Sequence, residues 1–177
     1  MLRSLTLILG WFTVAATAAA GSPRAPLINI NGETIGTATL RQLETGTVVE
    51  LSASGLPPGT MGVHFHETGR CDTRNQFKSA GGHYAPEDNT HGFASSDGPH
   101  AGDMPNLQVG EDGKLDLDIL NTRVSLDRSG SRLLDDDGAA LIIHANADDG
   151  RSQPSGQSGK RIACAAFTRQ ADTEPSL

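Results

Sequence analysis

The chain has 177 residues, with 14 Lys and Arg against 21 Asp and Glu and a formal net charge of −7. That acidic balance argues against nucleic acid or an anionic membrane surface as the partner. The length suits one domain with a sizeable core, and only two cysteines, Cys71 and Cys164, occur.

Residues 1–20 read as a secretory signal peptide. Arg3 supplies the charged start, Leu5 to Ala16 the apolar stretch, and Ala18-Ala19-Ala20 a small-residue cleavage site before Gly21. The stretch is too short and wrongly flanked for a stable membrane span, and no later segment is apolar enough to be one. Removal of the signal takes Arg3 with it, leaving 13 basic groups against 21 acidic ones, a balance of −8. The sole tryptophan, Trp11, goes too. A soluble exported product is expected, periplasmic or secreted, and there an even pair of cysteines reads as one disulfide.

From Gly21 onward helical periodicity is scarce and turn signals are frequent. Leu27 to Ile30 leads into Asn31-Gly32, a tight-hairpin signal, and Thr34 to Leu40 continues as a β-branched run. Val48 to Leu51 is a short strand closed by Gly55-Leu56-Pro57-Pro58-Gly59, and Met61 to His66 is the next run. Glu67 to Pro105 follows with six glycines and little periodicity, a length of loop that points to function and to fasteners of its own. Leu107 to Val109 and the alternating Leu115 to Ile119 resume the strands. Ala139 to Ala145 follows the Asp135-Asp136-Asp137-Gly138 turn. A second loop, Asp148 to Lys160, is rich in Gly, Ser and Asp. Arg161 to Thr168 is the last strand, and residues 169–177 read as a flexible polar tail. About eight short strands with two long loops predict an all-β domain over residues 21–177, an antiparallel Greek-key barrel or sandwich.

All six histidines fall between His64 and His144, at His64, His66, His83, His91, His100 and His144. A set this rich in imidazole suits copper and zinc better than calcium or magnesium. His64 and His66 stand at strand spacing, so both project from one face, roughly 7 Å apart, while Val63 and Phe65 face the core. By the same alternation His144 turns away from Leu141 and Ile143. Three imidazoles on one sheet face make a preformed copper platform, which one loop histidine completes. His91, His100 and Asp103 then remain to close on a second ion, with zinc the natural candidate. A hydrolase of the His-x-His-x-Asp-His kind fits poorly, because Glu67 to Cys71 lacks that continuation and no βαβ pattern is present.

The strings Gly62-Val63-His64-Phe65-His66-Glu67, Ser79-Ala80-Gly81-Gly82-His83, Gly98 to Leu107 around His100-Ala101-Gly102-Asp103, and Gly159-Lys160-Arg161-Ile162-Ala163-Cys164 are spread over about a hundred residues. In that order they resemble the copper–zinc superoxide dismutase family, in its bacterial exported form. The resemblance implies a Greek-key β-barrel with copper on His64, His66, His83 and His144, and zinc on His83, His91, His100 and Asp103. His83 would be shared between the two ions as an imidazolate. Cys71 and Cys164 match the family disulfide. Asp148 matches a carboxylate that links a zinc-bound histidine to a copper-bound one, with Asp149 next door as the competing assignment. Arg161 matches the arginine that docks the superoxide anion, with Lys160 or Lys78 as auxiliary positive charges. Superoxide would be converted to dioxygen and hydrogen peroxide, with Arg161 and His83 as the catalytic residues. Val63, and Ala165-Ala166-Phe167 after Cys164, depart from common family residues without touching a ligand. The competing function is a copper and zinc binding or delivery protein of the same fold without turnover. A monomer or a homodimer is consistent with the family type.

Overall fold

The computed structural model describes residues 21–126 and 132–168; the expected signal at 1–20 and tail at 169–177 lie outside these residues. Nine strands are present among them: β1 (Arg24–Asn29), β2 (Thr34–Leu43), β3 (Gly46–Ala53), β4 (Gly59–Met61), β5 (Val63–His66), β6 (Leu107–Val109), β7 (Leu115–Asn121), β8 (Ala139–His144) and β9 (Arg161–Phe167). Regular helix among the described residues is limited to two 3-10 turns, Thr73–Asn75 and Lys78–Ala80. Seven strands form one antiparallel sheet in the order β5-β8-β9-β1-β2-β3-β7, curled into a half-barrel, and β4 pairs with β6 in a second small sheet. The non-sequential pairings β5 with β8, β9 with β1 and β3 with β7 are the crossovers of a Greek-key arrangement.

The antiparallel, all-β expectation holds. The run Met61 to His66, expected as one strand, divides at Gly62: residues 59–61 pair with β6, and residues 63–66 pair with β8. Side-chain alternation passes through the break undisturbed, since Met61, Val63 and Phe65 all enter the same core. Only the hydrogen-bonding partner changes. Gly62 N–H donates to the Asn146 carbonyl (2.8 Å) and its own carbonyl accepts from His144 N–H (2.9 Å). A side chain here would meet Ser158 Cβ at 3.0 Å and His64 Cε1 at 3.3 Å, a tight fit that would push on the His64 ring.

The two faces of the β5-β8-β9 region do different work. Val63 and Phe65 lie opposite Ile143 and Leu141, and all four point into the main core with Leu27, Leu40, Val49 and Leu51. His64 and His66 lie opposite Ile142 and Ala140 on the other face. There a smaller cluster of Phe77, Ala80, Ala140, Ile142 and Cys164 lies under the first loop. Burial of an aromatic side chain such as Phe65 contributes about 2–3 kcal/mol, which anchors the strand that carries two of the histidines.

The first loop is fastened at both margins. The Cys71–Cys164 disulfide, with Cα atoms 5.8 Å apart, ties it to β9. Its later portion covers the free edge of β5: Phe65 N–H donates to the Gly102 carbonyl (2.9 Å), and Tyr84 N–H to the Phe65 carbonyl (2.8 Å). Gly102 has no room for a side chain, because a Cβ would stand 2.5 Å from the Phe65 carbonyl oxygen. Bridges between His66 and His83, and between His64 and Asp103, continue the sheet into the loop. The backbone pairing of β5 therefore brings loop histidines to strand histidines.

Candidate metal centre

Four imidazoles meet on the outer face of β5 and β8. One nitrogen from each of His64, His66, His83 and His144 lies within 4.8 Å of the others. Ring centroids are 4.0 Å apart for His64 and His83, 4.8 Å for His64 and His144, and 4.9 Å for His66 and His83. Each ring has one nitrogen tied to the protein. His64 Nε2 is 2.8 Å from Asp148 Oδ2, His66 Nδ1 is 3.0 Å from the Gly81 carbonyl, and His144 Nδ1 is 3.3 Å from the Gly159 carbonyl. His83 Nδ1 is 2.9 Å from Asp103 Oδ1. Assigned from these partners, the tied nitrogens of His64, His66 and His144 are the protonated ones. The opposite nitrogens, His64 Nδ1, His66 Nε2, His83 Nε2 and His144 Nε2, are buried and have no hydrogen-bond partner. Buried polar atoms are rarely left so, and four in one place is the donor set of a metal ion.

The electrostatics agree with that fit. Burial, together with the neighbouring His64, holds His144 down to about 3. Burial likewise lowers His83 to about 4, against the opposing pull of Asp103, and places His66 well below its ordinary value. These rings are neutral near pH 7, with lone pairs available to a cation.

A second focus lies beside the first. Three imidazole nitrogens converge on Asp103 Oδ1: His83 Nδ1 at 2.9 Å, His91 Nδ1 at 3.1 Å and His100 Nδ1 at 3.4 Å. The other carboxylate oxygen, Oδ2, accepts N–H bonds from Gly92 (2.9 Å) and His100 (3.0 Å), which fixes the plane of the carboxylate. Burial opposes the ionised form of Asp103, but these bonds outweigh it and hold its carboxyl well below the usual range. Donor atoms of His64, His83, His91 and Asp103 also fall within 4.8 Å of one another. His100 is not in that quartet but stands next to it, with Nδ1 3.3 Å from His83 Nδ1. Three nitrogens and one oxygen suit zinc.

Asp148 spans the two foci. Its Oδ2 meets His64 Nε2 and its Oδ1 meets His91 Nε2 at 3.0 Å. Hydrogen bonds from both rings and from Gly150 N–H overcome the burial penalty and keep its carboxyl low. For His91 burial works against protonation, but the bonds to Asp103 and Asp148 prevail and raise its pKa. Asp149, the competing assignment, turns instead into its own loop and accepts from Arg151 N–H, Ser152 N–H and the Ser152 hydroxyl.

Arg161 opens β9 as the Cα partner of His144. Its Nη1 donates to the Phe77 carbonyl (2.7 Å) and its Nη2 to the Gly81 carbonyl (2.6 Å). Gly81 is thus the shared acceptor of Arg161 and His66. Burial lowers the guanidinium pKa somewhat, and Glu67 offsets part of this. Phe77 is fully buried with φ 61°, an unusual left-handed conformation for an aromatic residue, costing about 1–3 kcal/mol. Lys78 and Lys160 are both exposed. Residues to which the sequence reading assigns no role also shape the site. Glu67 Oε1 accepts from Gly82 N–H (2.9 Å) just before His83, and Asn106 and Gln153 bond the backbones of Asp148 and His91. Glu67 and Asn106 fall inside the strings that carry the family resemblance, without a role read from them, and nothing in the composition of its loop distinguishes Gln153.

Residues 34–167 match the family model described as copper/zinc superoxide dismutase. Over 142 residues the chain is 44% identical to Cu-Zn superoxide dismutase 1 of Aquifex aeolicus, spanning 79% of this chain and 83% of that protein. It is 37% identical over 185 residues to the Cu-Zn superoxide dismutase of Deinococcus radiodurans, covering 94% and 98% of the two. Among solved structures, a double mutant of a superoxide dismutase-like protein from Bacillus subtilis, with a tyrosine and a proline each replaced by histidine, matches with a TM-score of 0.81. That match has 41% sequence identity and covers 85% of this chain and 100% of that one. With its paired imidazole foci set on an antiparallel half-barrel, the chain belongs to the copper/zinc superoxide dismutase family.

Proposed function

We propose that this protein converts superoxide to dioxygen and hydrogen peroxide at a copper site formed by His64, His66, His83 and His144. Zinc is held beside it by His83, His91, His100 and Asp103. The observation that carries the reading is the set of four buried, unpartnered imidazole nitrogens on one sheet face, next to the strand that begins with Arg161. Copper bound there supplies one-electron transfer in both directions, while zinc has no redox chemistry and contributes charge and rigidity.

The protein's own groups then have distinct tasks. Arg161 binds the anion: two carbonyls hold its guanidinium in one orientation, and N–H groups remain to meet a small dioxygen species. Its fixed charge, with Lys78 and Lys160 at the surface, draws an anion toward a site on an otherwise acidic protein. Two superoxide anions consumed require two protons to leave as dioxygen and hydrogen peroxide. Both come from solvent: one would be relayed by His83, which takes it up at Nε2, the nitrogen without a protein partner, and passes it to the product while its Nδ1 stays turned toward Asp103; the other arrives directly. Asp148 orients the rings of His64 and His91 together, so each presents its remaining nitrogen at a set angle.

Export to the periplasm or the exterior follows from the signal-like segment at residues 1–20 and from the Cys71–Cys164 bridge, a pairing that persists in oxidising compartments. No helix among the described residues is long and apolar enough to cross a membrane.

The test is superoxide consumption by the protein loaded with copper and zinc. Fast decay that cyanide abolishes and Arg161→Ala slows by tenfold or more is the expected outcome. Stoichiometric binding of both metals without turnover would overturn the enzyme in favour of metal storage or delivery.

A further inference from the structure

His91 and Asp148 belong to different loops, and neither lies in a strand. Their side chains nevertheless meet at 3.0 Å, and around that contact the two loops exchange amide groups. His91 N–H donates to Gln153 Oε1 (2.9 Å), and Gln153 Nε2 donates back to the His91 carbonyl (3.0 Å). On the other side, Asp148 N–H donates to Asn106 Oδ1 (2.8 Å), and Asn106 Nδ2 donates back to the Asp148 carbonyl (2.8 Å). Each partner in the side-chain contact therefore has its backbone held, donor and acceptor together, by a carboxamide from the opposite loop.

We propose that Gln153 and Asn106 are positioning residues that bring His91 and Asp148 into register before any metal binds, and so set the affinity and geometry of the zinc site. The inference rests on the zinc reading given above. Both amides are exposed. A solvent-exposed amide could equally well bond water, and here both ends of each one are committed to a single residue's backbone. That pattern is the one a positioning role needs, since bonds to the two peptide groups flanking one Cα fix the rotation of that residue's backbone as well as its place. Gln153 also donates to the Arg151 carbonyl (3.0 Å), which braces it within its own loop.

The backbone between the loops leaves no slack to replace these bonds. Gly92 approaches Gly150 so closely that a Cβ would stand 2.1 Å from the Gly150 carbonyl oxygen, and Ala94 N–H donates to that same carbonyl (2.9 Å). Gly156, at φ +62°, lies directly over the contact, with room for a side chain denied by Asp148 Oδ1 and His91 Nε2. The loops are thus shaped to one mutual position, and the two amides are the polar groups that hold it.

The experiment replaces zinc with cobalt(II), whose visible bands report the symmetry of its donors, and measures zinc affinity separately by competition with a chromogenic chelator. Gln153→Ala is expected to lower zinc affinity by about 10–100-fold and to shift the cobalt bands, the range found for groups that orient metal ligands. Gln153→Glu keeps the acceptor for His91 N–H and loses the donor, so its loss should be intermediate. Asn106→Ala should act in the same direction. Gln157→Ala is the control: that side chain bonds Asp149 and Ser152 within its own loop and should leave both readouts at the unaltered value. A structural role alone would lower the melting temperature of metal-free and metal-loaded protein equally and leave the cobalt bands in place. Gln153→Ala behaving like Gln157→Ala, while the unaltered protein binds zinc, would overturn this inference alone. Failure of the unaltered protein to bind cobalt or zinc would overturn the metal-site reading beneath it.

Discussion

The Cys71–Cys164 bridge joins positions 93 residues apart, so removing it changes the unfolded chain far more than the folded one. Loop-closure entropy for that span corresponds to about 4–5 kcal/mol at 25 °C. For a domain of this size each kcal/mol moves the melting temperature by about 2–4 °C, so the variant carrying Cys71→Ala and Cys164→Ala should melt about 8–20 °C lower. The comparison belongs on metal-free protein, because bound metal adds its own stabilisation by mass action. Calorimetry of the two forms at pH 7 reads the difference. A drop smaller than about 3 °C, well below the range expected from loop closure, would refute the entropic argument.

The same bridge reaches the site through a short path. Cys71 precedes the segment whose Phe77 and Gly81 carbonyls hold Arg161, and Cys164 lies three residues after Arg161 on β9. Strand and carbonyl cradle are thus stapled to each other. Metal-loaded variant assayed well below its melting temperature should therefore show reduced kcat/KM for superoxide. Full activity there would mean that the small apolar cluster of Phe77, Ala80 and Ile142 holds the cradle without the disulfide.

Two other perturbations test the site from different sides. Gly156→Ala places a Cβ on Asp148 Oδ1 and 2.8 Å from His91 Nε2 at a left-handed backbone position, so the Asp148–His91 contact must open; zinc content after dialysis should fall well below one per chain, and full retention would contradict the close packing. In metal-free protein, His83 at about 4 and His144 at about 3 are held below the unfolded value by burial, and His66 is lowered as well. The unfolded chain therefore takes up protons first as pH falls through about 6.5, and stability declines toward pH 4 by up to about 1.4 kcal/mol per pH unit for each proton. His91, raised, contributes stability that is present below the unfolded value and lost as pH rises, but it stands alone against three lowered rings. The urea midpoint of metal-free protein should be lower at pH 5 than at pH 7, and an equal or higher midpoint would refute the sign.

Strands and ligand types were legible because they depend on local rules. Alternation placed His64 and His66 opposite Val63 and Phe65, and the structure keeps that division, with a hydrophobic core on one face and imidazoles on the other. The partner switch at Gly62 was not legible, since alternation continues through it and hydrogen-bonding partners leave no periodic trace. Asp148 and Asp149 are chemically identical neighbours, and only the direction of the chain decides which faces His64 and His91 and which bonds Ser152. The roles of Gln153 and of Asn106, though the latter lies in a string that carries the resemblance, were not legible for another reason: an amide that bonds a distant backbone needs no particular sequence around it. Phe77 reads as an ordinary apolar residue, and its left-handed backbone leaves no mark in the sequence.

The two imidazole foci differ in what holds them, and that difference has a consequence for function. Three of the four unpartnered nitrogens in the first belong to β5 and β8, strands whose opposite face is buried in the main core. Moving the backbone that carries those rings requires breaking sheet and core together, so its placement is as stable as the domain. The groups that converge on Asp103 at the second focus, His83, His91 and His100, are loop residues, whose places depend on the Asp103 carboxylate, two backbone amides and contacts between loops, although His64 of β5 also stands within reach. Local opening there costs less than global unfolding. His83 belongs to both, with Nε2 facing the strand histidines and Nδ1 bound to Asp103. The rigid focus thus receives its one loop-borne member by way of the softer focus, and whatever orders the loops also completes the strand-borne site. In the proposed reading zinc, which has no redox chemistry, would gain its importance through that shared ring.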